Sequence, residues 1–310
     1  MYAAVNNSTP GRGVVVKKTL NVYLIWSGDE HIECTLSNQL KKETNADPIA
    51  VGDVVIWDKA AQITEVLPRR NQLSRRGAVP MPGAYAHEQV IVANVDQVIP
   101  VFAAANPRPA WHLLDRYLVS AESAEIPPLI CLTKMDLVEG SPQAEEIEMV
   151  ASEYRAIGYE VVLTSTVTGR GLGELKAKLH GRLSALIGKS GMGKTSLLNA
   201  LEPGLGLRVQ TISKANGKGR HTTSTSEIFA LASGGAIIDT PGIREFGLWD
   251  IAENDLAWFF PEMRPFVGRC KFRLDCQHDE EPGCAIRKAV VEGQISPYRY
   301  QSYLKLRVEP

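Results

Sequence analysis

The segment Gly188-Lys189-Ser190-Gly191-Met192-Gly193-Lys194-Thr195 constrains this chain more than any other. It fits the pattern GxxxxGK[ST], and its surroundings are those the pattern needs. Ala185-Leu186-Ile187 before it reads as a strand, and Ser196-Leu197-Leu198-Asn199-Ala200-Leu201 after it reads as a helix. The glycines let the backbone curl so that successive N–H groups face phosphate oxygens, and the helix adds its positive end. Lys194 would reach the β- and γ-phosphates and Thr195 would ligate Mg²⁺. A strand–loop–helix of this kind implies a parallel sheet covered by helices.

Two further segments fit the same site. Asp239-Thr240-Pro241-Gly242 follows the apolar strand Ala236-Ile237-Ile238. There Asp239 would hold Mg²⁺ through water and Gly242 would offer its N–H to the γ-phosphate. Between the two lies a polar, Gly-rich stretch, Asn216-Gly217-Lys218-Gly219-Arg220-His221-Thr222-Thr223-Ser224. A loop that orders only with triphosphate belongs here, with one Thr on Mg²⁺; Thr223 is preferred to Thr222. A plain flexible loop is the alternative.

Upstream of all these, Thr133-Lys134-Met135-Asp136 follows the buried run Leu129-Ile130-Cys131-Leu132 and fits [NT]KxD. A carboxylate at Asp136 would accept from N1–H and the exocyclic amine of guanine, a donor pair that adenine lacks. Lys134 would lie along the base. Ser165-Thr166, after the strand Glu160-Val161-Val162-Leu163, suits the loop that supports the base. An ordinary GTPase has its phosphate loop first and base recognition last. Here the order is base recognition, base support, phosphate loop, switch, DxxG. Each motif still ends a strand, so one sheet can gather them, and only the chain connections have moved. The chain reads as a circularly permuted GTPase.

The flanks differ from this centre. Residues 1–73 show short strand-like runs separated by Ser27-Gly28-Asp29 and Gly52-Asp53, which suits a small barrel of OB or SH3 type. Pro68 to Arg76 reads as a basic connector, either solvated or touching phosphate. Helices are expected over Trp111–Ala124, Ser141–Ile157, Leu172–Leu179 and Cys284–Ile295. The expected units are a barrel over 1–73, a GTPase domain over 74–248 and a C-terminal domain over 249–310. Cys34 and Cys131 stand alone in apolar runs as core thiols. Cys270, Cys276 and Cys284 crowd around His278. Three thiolates and an imidazole make a tetrahedral zinc set, with buried thiols as the alternative. A formal net charge of -1 leaves any RNA to be held by local patches.

The rotated order, Gly219-Arg220-His221-Thr222-Thr223, Ala93-Asn94-Val95-Asp96-Gln97 and Leu114-Asp115-Arg116-Tyr117-Leu118 resemble the small-ribosomal-subunit biogenesis GTPases of the RsgA/YjeQ type. The resemblance covers nearly the whole chain. It implies an N-terminal OB barrel, a permuted GTPase domain and a C-terminal helical domain. The zinc ion that domain holds would rest on Cys270, Cys276, His278 and Cys284. It also implies GTP hydrolysis stimulated by the small ribosomal subunit during its late maturation, and barrel and tail are expected to grip rRNA. Thr133 stands where Asn is more usual.

Catalysis departs from the common plan. Ile243 occupies the position after DxxG where a water-orienting Gln is usual. His221 is the candidate for that water, with a solvated or RNA-contacting histidine as the alternative. Lys194 would stabilise the transferring phosphoryl group. A scaffold that holds GTP without turnover is the second reading. An ATP-using kinase is disfavoured by Asp136. With no apolar run of eighteen residues and no secretory signal, a cytoplasmic monomer away from membranes is expected.

Overall fold

The computed structural model describes residues 10–43, 48–77, 88–207, 226–240 and 251–308. Five strands come first: β1 (Gly11–Lys18), β2 (Tyr23–Ser27), β3 (Glu30–Leu36), then β4 (Val54–Trp57) and β5 (Gln62–Val66), with helix α1 (Asn38–Glu43) between β3 and β4. Alternation in β3 buries Ile32, Cys34 and Leu36 while Glu33 and Thr35 face out, the period-two pattern of a strand with one wet face. β1 closes the barrel. Its first half pairs with β4 and its second half with β2, with a register shift between Val15 and Lys17. The circuit β1-β2-β3-β5-β4-β1, with β3 and β5 parallel and a helix before β4, is the OB arrangement rather than the SH3 one.

The expected basic connector is largely ordered structure. β6 (Gln72–Arg76) pairs antiparallel with β7 (Glu88–Ala93). Arg69 forms a two-pronged ion pair with the fully buried Asp53 at 2.7 and 2.8 Å. Arg70 pairs with Asp96 at 2.7 Å. These two cations already have carboxylate partners, so the stretch is not a free linker.

Strand–helix alternation then builds the central sheet: β8 (Gln97–Ala103), α2 (Trp111–Ser123), β9 (Leu129–Thr133), α3 (Pro142–Ile157), β10 (Glu160–Leu163), α4 (Leu172–Leu179), β11 (Leu183–Ile187) and α5 (Lys194–Leu201), followed by β12 (Glu227–Ala230) and β13 (Ala236–Asp239). The order is β10-β9-β8-β11-β13-β12, parallel except for β12, which runs antiparallel to β13. β8 and β9 are buried along their whole length, as strands covered on both faces must be. Right-handed crossovers put α2 and α3 on one face and α4 and α5 on the other. Contact of α4 with α5, and the Tyr154 hydroxyl of α3 donating to Asp115 of α2 at 2.6 Å, agree with that split. From β8 the chain winds outward to β10, then returns to β11 and winds the other way. That reversal, at β8 and β11, is where a ligand crevice forms beyond the strands' carboxyl ends. β12 meets the barrel through Lys17 paired with Glu227, whose side chains lie 2.8 Å apart.

Three-ten turns, α6 (Ala285–Val291) and α7 (Pro297–Val308) complete the fold. α6 is shorter than its apolar pattern suggested, because Cys284 serves as its cap and Gly293 takes a positive φ just beyond it. Their core gathers Phe260, Met263, Ile286 and Tyr303, with Val119 contributed by α2. Arg299 of α7 is buried between Asp115 (2.5 Å) and Glu262 (2.7 Å), its guanidinium over the Phe260 ring. Burial opposes its charge, but the two carboxylates outweigh that and hold it protonated. Removing one member of such a cluster leaves an uncompensated buried charge. Arg299→Met is therefore expected to destabilise the docking of α7 by about 3 kcal/mol. Hydrogen exchange of the α7 amides would speed up by roughly two orders of magnitude. Unchanged exchange would refute the assignment.

Candidate nucleotide site and metal centre

The loop from Gly188 to Gly193 runs from β11 into α5 at the winding reversal. Two of its glycines are dictated by space. Gly188 has φ +152, and a Cβ there would lie 2.6 Å from the Val101 carbonyl of β8. Gly193 has φ +93 and faces the Thr133 hydroxyl, which a Cβ would approach to 3.1 Å. Lys194, first residue of α5, arches back so that its ammonium donates to Gly188 O at 2.6 Å, with Lys189 O at 3.2 Å. Thr195 and Ser196 follow in the first turn, half-buried, while Lys189 and Ser190 are exposed.

Asp239 ends the neighbouring strand β13 and faces Lys194. Burial pushes its carboxyl up, with Lys194 opposing; burial likewise pushes Lys194 down, with Asp239 opposing. One carboxylate oxygen, Asp239 Oδ1, is buried with no hydrogen-bond partner among the described residues. A buried acceptor without a protein partner, beside an ammonium held by loop carbonyls, is a group that a water or ion satisfies. The adjacent Thr240 hydroxyl donates to Leu186 O at 2.5 Å and ties β13 to the phosphate strand.

The base motif lies against this loop. The Thr133 hydroxyl, at the end of β9, donates to Met192 O at 2.6 Å. The Lys134 ammonium donates to Gly191 O at 2.7 Å and also to Asn106 O in the segment after β8. Lys134 itself sits in the left-handed region at φ +59, a sharp turn off the strand that throws its side chain back over the loop. Burial lowers its pKa, and Asp136 opposes that. The Met135 side chain is buried in the core, and its N–H bonds to Thr164 O at 3.1 Å. Asp136 Oδ1 accepts from the Ser165 hydroxyl at 2.5 Å, and that hydroxyl in turn accepts from the Val167 and Thr168 N–H groups, each at 3.2 Å. Thr166 beside it is exposed. Four of the five expected segments thus meet at one edge of the sheet. The fifth, with His221, Thr222 and Thr223, lies outside the described residues, as do Gly242 and Ile243.

Asn106 was not anticipated. It has no motif around it, but it sits where β8 ends, beside the winding reversal, and that position was the available signal.

Cys270, Cys276, His278 and Cys284 are all buried, and their ligand atoms lie within 4.8 Å of one another. Cys270 Sγ is 3.4 Å from His278 Nδ1, Cys284 Sγ is 3.5 Å from it, and the two sulfurs are 3.9 Å apart. No disulfide forms among them. Backbone N–H groups aim at the sulfurs, Ala285 N at Cys270 Sγ (3.2 Å) and Arg287 N at Cys284 Sγ (3.4 Å). α7 holds the loop from behind, the Tyr300 hydroxyl donating to His278 O at 2.6 Å and Arg307 to Gln277 O at 2.7 Å. The four residues could hold a metal ion with no position left open. Cys34 and Cys131, by contrast, are isolated buried thiols, each pushed up to about 12 by burial first.

Comparison with known proteins agrees with this geometry. The RsgA GTPase family matches residues 66–249. A relative from Gemmatimonas aurantiaca, named small ribosomal subunit biogenesis GTPase RsgA, is 45% identical over 310 residues, spanning 97% of this chain and 98% of its own. One of the same name from Pseudomonas aeruginosa is 43% identical, spanning 84% of this chain and 75% of its own. Among solved structures, YjeQ from Thermotoga maritima superposes with a TM-score of 0.75 at 33% identity, covering 96% of this chain and 97% of that one. YloQ, described as a circularly permuted GTPase, gives 0.70 at 31% identity, covering 97% and 95%. With its permuted sheet, its gathered motifs and these relatives, the chain belongs to the RsgA GTPase family.

Proposed function

We propose that this protein is a GTPase that acts in maturation of the small ribosomal subunit, as the names of its relatives imply. The observation that carries the reading is the contact of Thr133 and Lys134 with the Met192 and Gly191 carbonyls, which joins a guanine-selecting motif to a phosphate loop. One guanosine triphosphate then spans both. Asp136, oriented by Ser165, accepts from the guanine edge, with Thr133, Lys134, Met135 and Thr166 around the base. Residues Gly188 to Ser196 wrap the phosphates, and Lys194 turns from Gly188 O to the β/γ-phosphates. Thr195, Thr223 and Asp239 would hold Mg²⁺, which neutralises charge developing on the phosphates. Asp239 Oδ1 is the orphaned acceptor that such a hydrated ion would satisfy. Gly242 would reach the γ-phosphate, and His221 would orient the attacking water.

The metal in the tail is read as zinc. Bond lengths of about 2.3 Å to sulfur and about 2.0 Å to nitrogen give tetrahedral edges of about 3.8 Å between sulfurs and about 3.5 Å from sulfur to nitrogen. The spacings of 3.9, 3.4 and 3.5 Å fit that set. A closed four-ligand site has a structural role. Three apolar clusters, in the barrel, the central sheet and the tail, support units close to 1–73, 74–248 and 249–310, although Val51 and Leu73 pack with the central sheet and Val119 of α2 with the tail. Barrel and tail grip rRNA, and the chain works as a monomer in the cytoplasm. Among the described residues no helix is long and apolar enough to cross a membrane.

Turnover measured with and without purified small subunits tests this reading. Subunits should raise wild-type hydrolysis, and Lys194→Ala should lower kcat/KM about 10³-fold, the scale for losing one donor to a transferring oxyanion. Equal rates for the two proteins would reject it.

A further inference from the structure

On the side of the sheet away from α4 and α5, α3 and α7 leave an apolar groove that the nucleotide and metal sites do not use. Its cavity of about 240 Å³ is lined by Trp111, Met149, Tyr154 and Tyr298, with Glu146 and Glu153 among its lining acids. Met149 is 60% exposed and Tyr298 47%, both large apolar surfaces left to solvent. Pockets for small ligands usually run to about 300–1,000 Å³, so this one suits one or two large side chains of a partner. Trp, Tyr and Met are the residue types that carry binding energy at protein interfaces.

Charge selects the class of partner. Glu146 and Glu153 are exposed. Arg299, the cation on the groove wall, is buried and already neutralised by Asp115 and Glu262. The groove therefore presents net negative charge, and Asp115 and Glu146 add to burial in pushing the Tyr298 phenol up. Phosphate backbone would be repelled here, whereas a cationic segment would be drawn in.

We infer that the α3–α7 groove docks a basic amphipathic segment of a partner protein, with a large apolar side chain seated beside Met149 and Tyr298 and Lys or Arg residues against Glu146 and Glu153. On the ribosomal reading above, on which the choice of partner rests, that segment belongs to a protein of the small subunit.

Two experiments on the full chain keep the groove and the ribosomal reading separable. In the first, an amphipathic lysine–leucine peptide is titrated while the Met149 methyl resonance is followed. The methyl should shift, and the Glu146→Lys/Glu153→Lys double variant should weaken binding about tenfold, with basal GTP hydrolysis unchanged. In the second, a benzophenone amino acid replaces Met149, and the chain is irradiated on purified small subunits. A covalent adduct with a ribosomal protein is expected. No methyl shift, an indifferent double variant, no adduct from subunit-bound chain, or an adduct with RNA alone would overturn the groove assignment. If the wild-type chain did not co-sediment with subunits, the ribosomal reading would fall and the peptide titration alone would judge the groove.

Discussion

Stripping the metal with a chelator, or replacing Cys276 by Ser, is expected to unfold the C-terminal cluster while the parallel sheet stays folded. The three cysteines and His278 are themselves part of that small core, each about 4–5% exposed. Without an ion, three thiols and an imidazole remain packed together with only weak sulfur hydrogen bonds between them. Structural zinc contributes about 10 kcal/mol or more of apparent folding free energy in small sites. The few apolar groups here, Phe260, Met263, Ile286 and Tyr303 among them, cannot replace that in so small a unit. Loss of the ion frees the Gln277–His278 carbonyls that Tyr300, Tyr303 and Arg307 grip, so α7 should loosen with the loop. Hydrogen exchange resolved by segment is the check. Amides of α6 and α7 should lose protection and those of β8 and β9 should keep it. Retained protection in α7 after metal loss would contradict a structural role.

Asp136→Asn is expected to reverse nucleotide choice, moving the ratio of kcat/KM for GTP over xanthosine triphosphate by about 10⁴-fold. A carboxylate accepts two hydrogen bonds from the guanine edge. An amide can present one acceptor and one donor, which matches xanthine, whose amine is replaced by a carbonyl. Sites that hydrogen-bond one functional group reject the analogue lacking it by about 10⁴ or more, that is about 5.5 kcal/mol or more. Ser165 makes the substitution informative, since its hydroxyl can donate to Asn as it does to Asp136 and so preserve the side chain's pose. Competition between the two triphosphates reads the change directly. A variant that still preferred GTP by the wild-type margin would remove Asp136 from the base site.

What could be read from the chain alone follows physical lines. The GxxxxGK[ST] segment, the [NT]KxD segment and the Cys/His cluster are local patterns of residue type and spacing, and the structure places the first two beside each other and gathers the four residues that could hold a metal ion. The central strands were legible because β8 and β9 are largely apolar runs, each followed by a helix. The barrel type was not legible, because closure of β1 on both β2 and β4 depends on long-range pairing that alternation does not encode. α7 went unread because six of its residues are Tyr, Arg or Lys, and its buried face includes Arg299, polar by type and core by partnership with Asp115. Arg69 and Arg70 were misleading for the same reason. Their charge suggested a solvated connector, and partners distant in sequence, Asp53 and Pro48 for Arg69 and Asp96 and Asn94 for Arg70, account for their order.

The most direct test of one nucleotide spanning the rearranged motifs is a crystal structure with a non-hydrolysable GTP analogue. The guanine should sit on the Asp136 carboxylate while the Lys194 ammonium has left Gly188 O for the phosphates. An analogue bound away from Asp136, with the ammonium still on Gly188 O, would contradict the account.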